Sequence, residues 1–239
     1  MNDGVDVGLT ERFHEWKRTA WLPITEAGDG PVTASKFSGT PWIGPGESWP
    51  VCPLCRKPMG LFLQLDLGSL PEELGVGLFQ MFYCVSRSEC TTRGDGCRDP
   101  FSPYQVLRRI GKGAGGPPTA LPSFDNSIPA RLITGWKPVE DYPDRTEWDG
   151  LGIWTDDDAA DALQELGYSP HQNDKLLGWP SWPQYVHYPK CRACGRDLWM
   201  IFQFESDQNL SYMFGDDGCG HITGCPDHPD ELAFTWSSY

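Results

Sequence analysis

Basic residues are scarce in this chain. Lys and Arg number 19 against 33 Asp and Glu, a formal net charge of −14. Such a surface repels phosphate backbones, so no nucleic-acid partner is expected, and it suits a basic protein instead. The same charge also serves plain solubility. No apolar run approaches the roughly 18 residues of a membrane-spanning helix, and no membrane association is expected. Met1-Asn2-Asp3-Gly4-Val5-Asp6 has neither the basic start nor the apolar core of a secretory leader, which predicts a cytoplasmic location. Catalytic signatures are missing too. There is no HExxH, no HxE ahead of a CxxC as in zinc deaminases, no P-loop and no GxSxG. Ser, His and Asp are present without a local pattern that organises them, and no enzymatic activity is expected.

What the chain does have is nine cysteines, in a motif that occurs twice. Trp49-Pro50 precedes Cys52-Pro53-Leu54-Cys55, and Phe62-Leu63-Gln64-Leu65-Asp66 follows. Trp182-Pro183 precedes Cys191-Arg192-Ala193-Cys194, and Phe202-Gln203-Phe204-Glu205 follows. In both copies the glutamine lies 12 residues after the first cysteine and 9 after the second, so the register holds without a gap.

The 27 glycines and 22 prolines predict many turns between short strands, and 11 tryptophans with 39% hydrophobic residues supply a core. Residues 9–18 predict a short helix with Leu9, Phe13 and Trp16 on one face. Strands are expected at 20–24, 32–37, 61–67, 78–84, 105–110, 131–139, 198–204 and around 233–236. Segment 210–214 and a turn at Gly215-Asp216-Asp217-Gly218 follow the second motif. Asp156, Asp157 and Asp158 suit the first turn of a helix that Gly167 ends. Residues 111–122 read as a linker. The expected architecture is mainly β (α+β), with two pseudo-twofold β-rich repeats, 1–115 and 116–239, in one compact unit.

Without an export signal, paired CxxC motifs read as metal thiolates. A structural zinc takes four tetrahedral ligands, and one CxxC turn supplies two. In the second half Cys191, Cys194, Cys225 and His228 complete a set, with Cys219 and His221 close by as substitutes. In the first half Cys52 and Cys55 take Cys84 as third ligand and Cys90 as fourth, with Cys97 as the alternate. Two structural Zn²⁺ ions are therefore expected. A redox role for either CxxC is disfavoured by the adjacent cysteines.

Ser35-Lys36-Phe37-Ser38-Gly39-Thr40-Pro41, the CxxC, Phe62 to Asp66 and Phe82-Tyr83-Cys84 resemble the bacterial YwqG-like family. Leu177-Gly178-Trp179-Pro180, Phe202-Gln203, Gly215 to Gly218 and Cys225-Pro226 through His228 fit the same pattern. That family is similar to the eukaryotic programmed-cell-death-protein-2 group. The resemblance implies a duplicated β-rich fold without established enzymatic activity. It also implies, from the relatives, chaperoning of a ribosomal protein or a place among toxin and immunity genes.

Two further groups have alternative readings. Gln64 and Gln203 are either buried amides serving backbone groups or, with Asp66 and Glu205, the lining of an enzyme pocket between the repeats. Trp42, Trp49, Trp136, Trp179 and Trp182 either cover the core at irregular loops or line a groove for an extended peptide. The expected function is a zinc-stabilised module that neutralises or chaperones a basic protein.

Overall fold

The computed structural model describes residues 7–86, 90, 99–124 and 127–239. It is mainly β: among the described residues ten strands form one antiparallel sheet, with two short α-helices. The elements are α1 (Val7–Glu15), β1 (Arg18–Ala27), β2 (Lys36–Phe37), β3 (Gly60–Asp66), β4 (Leu78–Tyr83), β5 (Gln105–Ile110), β6 (Arg131–Asp141), α2 (Asp157–Glu165), β7 (Lys175–Leu176), β8 (Trp199–Glu205), β9 (Cys219–Gly224) and β10 (Leu232–Ser237). No helix among them is long and apolar enough to cross a membrane.

The strand order is β10-β9-β8-β7-β1-β6-β2-β3-β4-β5. Two four-stranded arms, β2 to β5 and β7 to β10, flank the long central pair β1 and β6. β1 precedes the first arm in the chain but pairs with β7 of the second, Trp21 opposite Leu176. β6 precedes the second arm but pairs with β2 of the first, Lys36 opposite Leu132. Each arm is thus extended by the strand that leads into the other. The sheet is nearly closed. Across the seam Gln105 Nε2 on β5 donates to the Phe234 carbonyl on β10 (3.2 Å), and Trp236 Nε1 donates to the Tyr83 hydroxyl (3.1 Å).

Strands β3 and β4 are buried along almost their whole length, which is why their sequences run apolar instead of alternating. Their inward rings meet those of the second arm. Phe37 packs on Phe202 at 5.8 Å, and Phe62 on Phe204 and Phe214 at 6.4 and 6.3 Å. A second cluster holds α1 and α2 outside the sheet, where Phe13 meets Trp148 and Leu163 is fully buried. α2 begins where expected: the Asp156 carboxylate accepts from the Ala159 N–H (2.8 Å), and Gly167 takes the left-handed conformation at φ 89°.

Differences from the sequence expectation are local. Of 32–37 only Lys36–Phe37 is strand, because Pro31 to Ala34 turn sharply. Segment 210–214 is not strand, and β9 stands where only loop was expected. β9 is disguised by Gly220 and Gly224. A Cβ at Gly220 would lie 2.7 Å from the Phe234 ring, and one at Gly224 2.6 Å from Ile201 Cδ1. Close packing requires these glycines.

Candidate metal centres

Each CxxC sits in the same tight turn. Cys52 N–H donates to the Lys57 carbonyl (2.9 Å) and Arg56 N–H to the Cys52 carbonyl (2.9 Å). The second copy repeats both bonds, Cys191 to Arg196 and Gly195 to Cys191, at 2.8 Å each. Arg56 and Gly195 hold the left-handed conformation, φ 61° and 74°, that reverses the chain after the second cysteine. The turn aims both sulfurs of a pair the same way. The third ligand comes from the end of the third strand of the arm: Cys84 follows β4, and Cys225 follows β9.

The eight expected ligands converge into two groups. Cys52, Cys55, Cys84 and Cys90 form one; Cys191, Cys194, Cys225 and His228 form the other. Within each, the ligand atoms all lie within 4.8 Å of one another. Cys52 and Cys90 sulfurs are 3.5 Å apart, Cys55 and Cys84 3.6 Å, and Cys194 and Cys225 3.8 Å. His228 Nδ1 lies 3.4 Å from Cys225 and 3.7 Å from Cys191. A tetrahedron with Zn–S bonds of about 2.3 Å places sulfurs about 3.8 Å apart. The groups are therefore geometrically able to hold a metal ion, and their sulfurs are unbridged thiols, not disulfides.

The electrostatics agree. Burial pushes the Cys84 thiol well above its ordinary range and Cys90 up to about 12. In the more open second group the Arg196 N–H and guanidinium pull Cys194 down to about 6. The Cys225 sulfur raises His228. Several ionised thiolates this close need a cation among them, which is what metal binding with proton release provides.

The alternates fall elsewhere. Cys97 lies outside the described residues. Cys219 and His221, both on β9, belong to neither group. Cys219 donates to the Ser181 carbonyl (3.1 Å), and its sulfur lies 3.6 Å from His221 Nε2.

His221 instead joins the amide network around Gln203. Gln203 is fully buried; its Nε2 donates to the His171 and Asn173 carbonyls (3.3 and 3.1 Å), and its Oε1 accepts from the Ser181 N–H (2.8 Å). Gln64 does the same work with Val32, Ala34 and Trp42. Both glutamines are therefore fully buried amides serving backbone groups. Gln80 faces Gln64 at 2.7 Å just as His221 Nε2 faces Gln203 at 3.3 Å.

That equivalence makes a pH prediction. Burial holds His221 down at about 3, against an ordinary value of 6.5. Below pH 6.5 the unfolded chain takes up a proton that the folded chain refuses, so stability falls as pH drops from 6.5 toward 3. His221→Gln, copying Gln80, removes that contribution. The variant is expected to lose less stability than the parent over this window, by about 1.4 kcal/mol per pH unit. Parallel denaturant titrations at pH 7 and pH 5 measure it; parallel pH dependences in parent and variant would refute it.

The sequence reading missed two buried lysines, each paired with an aspartate. Lys36 Nζ binds Asp29 at 2.7 Å, and Lys175 Nζ binds Asp141 at 2.9 Å. Each aspartate also accepts a loop N–H, from Thr40 or from Trp179. The signal was in the sequence: Lys36-Phe37-Ser38-Gly39-Thr40-Pro41 recurs as Lys175-Leu176-Leu177-Gly178-Trp179-Pro180. The spacing, 139 positions, is also that from Cys52 to Cys191 and from Gln64 to Gln203. The conformations match as well: Ser38 and Leu177 have φ 55° and 59°, Gly39 and Gly178 φ 84° and 83°. Bulges interrupt β3 at Leu61/Leu63 and β8 at Met200/Phe202.

No protein-family model matches the chain, and no curated protein matches it in a sequence search. The tryptophans pack on the core. Trp42, Trp179 and Trp182 are buried under loops, whereas Trp49 and Trp136 are half-buried. Gly215 to Gly218 form a tight turn, with the Gly218 N–H donating to the Phe214 carbonyl (3.0 Å).

Proposed function

We propose that the chain is a zinc-stabilised protein-binding module built from two pseudo-twofold repeats, each with one structural Zn²⁺. The observation that carries the reading is the pair of closed four-ligand groups, one of four thiolates and one of three thiolates with an imidazole. A set of four sulfur and imidazole ligands leaves no coordination position for a substrate, the arrangement of structural and not catalytic zinc. The recurrence of turn, bulge, glutamine network and aspartate-bound lysine at one spacing supports the duplication.

The client is a basic protein. The −14 charge accelerates encounter with a positive partner and deters nucleic acid. Membership of the YwqG-like family, with its link to the programmed-cell-death-protein-2 group, is part of the same proposal. Toxin neutralisation and chaperoning both fit it. Thiolate ligands call for a reducing compartment such as the cytoplasm.

The test is affinity capture from the native host at low salt, with mass spectrometry and metal analysis of the bait. One basic partner at stoichiometric yield, released as ionic strength rises, is the expected result, with about two zinc ions per chain. Failure to retain any basic protein under low-salt conditions would overturn the binding role. Metal-free bait of full stability would overturn the zinc.

A further inference from the structure

We propose that a cleft on the second arm binds a small organic anion, a carboxylate carried on a flat apolar body, with Arg18 taking the carboxylate and tryptophan rings taking the body. This goes beyond protein binding and does not depend on it.

The cleft has a volume of about 490 Å³ and is walled by Trp16, Trp179, Tyr188 and Trp199, with Arg18 and Glu147 set among them. That is the size of a small-molecule site. Arg18 opens β1, and its guanidinium carbon lies 3.3 Å from the centre of the Trp179 ring and 5.1 Å from that of Trp199. The rings hold the guanidinium flat. Nη1 donates to the Gly178 carbonyl at 3.3 Å, and among the described residues no carboxylate pairs with Arg18. A guanidinium has five N–H donors in a fork that matches a carboxylate, so most of them are left over. Desolvation lowers the pKa of Arg18, as expected for a cation drawn partly out of water.

Glu147 and Asp141 favour the charge of Arg18 through space without lying within ion-pair distance of it, and Glu147 is already engaged. Its oxygens accept from the Tyr188 hydroxyl (2.9 and 3.0 Å) and from Trp182 Nε1 (2.7 Å). It fixes the wall of the cleft.

The first arm says what such a hollow accommodates. Thr40, Trp49 and Gly60 stand 139 positions before Trp179, Tyr188 and Trp199. They line a smaller hollow of about 190 Å³, whose wall also includes Leu121, Pro122 and Phe124. The Phe124 ring lies 6.0 Å from Trp49. In the second arm Trp199, 49% exposed, replaces the glycine, and a cation stands at the wall. A phenyl ring packs on Trp49 in the wall of the first hollow; the second offers more aromatic surface and an anion receptor.

The test uses the full metal-replete chain and follows tryptophan fluorescence. The probes are 3-phenylpropionate, its neutral amide, and acetyl-Gly-Gly-Phe as free acid and as amide. The expected result is saturable binding of the acids, about tenfold or more tighter than the amides. Arg18→Gln should erase that preference, with its melting temperature measured alongside. Trp199→Gly, an exposed change that copies Gly60, should weaken acid and amide alike and leave their ratio intact. A tripeptide acid that outbinds 3-phenylpropionate assigns the site to a chain terminus; the reverse order assigns it to a free aromatic acid. Equal binding of acid and amide, an acid preference that survives Arg18→Gln, or no saturation into the millimolar range would each overturn the proposal. None of these readouts involves the basic partner, so the two readings fail separately.

Discussion

Cys191→Ser is expected to lower the unfolding free energy by more than about 4 kcal/mol, the scale reserved for loss of a metal or a buried charge. The second group is built on few apolar contacts. Cys191, Leu198, Cys225 and Ala233 make up its small buried cluster, with Phe101 against it. So little apolar surface does not hold the CxxC turn to the β9 exit by itself. Arg192 bonds Glu231 across the same gap; under the proposed reading a shared ion adds to it, and its binding energy would become folding energy because the unfolded chain has no preformed site. Serine keeps the size and removes the thiolate. Chelation of the parent should reproduce the defect, and added zinc should rescue the parent but not the variant. Cys219→Ser is the matched control: also buried on the same arm, but outside the metal group, it should cost far less and leave the chelator response unchanged. Thermal melts with and without chelator decide the matter. Equal melting of Cys191→Ser and parent would remove the metal from the account of this fold.

The first group should respond more weakly to the same treatment. Its four cysteines pack with Ile43, Met59, Leu61 and Phe82 in a larger apolar cluster. Burial there contributes alongside the ion, so the two halves should lose metal at different chelator concentrations.

Much of this was legible in the sequence. Cysteine spacing picked out both groups that converge, while leaving Cys97, Cys219 and His221 open as alternates. β3 to β6 and β8 were readable within a few residues, since their apolar runs are bounded by Gly and Pro. β9 was not, because Gly220, His221 and Gly224 look like loop until Phe234 and Ile201 are placed over them. Nor was the exchange of β1 and β6 between arms. Strand pairing across more than a hundred residues leaves no local trace, and the alternation along β1 and β6 is the same whichever arm they join. The buried lysines were invisible for a different reason. Lysine is among the residues least often fully buried unless paired, so Lys36 and Lys175 read as surface positions until an aspartate is found for each.

That pairing supports the second large prediction: Asp141→Ala should cost about 3–5 kcal/mol, whereas Asp29→Ala at the equivalent ion pair should cost about 1–2 kcal/mol. The partners are alike; the exposure is not. Lys175 and Asp141 are both 0% exposed at their side chains, whereas Lys36 is 0% and Asp29 37%. Asp141 accepts from Lys175, from the His171 N–H at 2.7 Å and from the Trp179 N–H at 2.6 Å. Its removal strands an ammonium and two backbone donors where water does not reach. Beside Asp29, water enters and solvates what is left.

A pH signature separates charge burial from simple loss of packing. Desolvation already lowers the Lys175 pKa, and Asp141 opposes it. Without Asp141 the folded chain holds the Lys175 proton less well than the unfolded chain does. The unfolded state then binds more protons, so stability must rise with pH until lysine titrates in the unfolded chain at about 10.4. Asp141→Ala should therefore regain stability between pH 7 and pH 9 relative to the parent. Adding Lys175→Met should recover much of the loss at pH 7 and flatten that slope, because a buried pair replaced by apolar groups is often neutral. If Asp29→Ala proved the costlier change, or if Asp141→Ala tracked the parent across this range, burial of the pair would not be what makes the second arm depend on it.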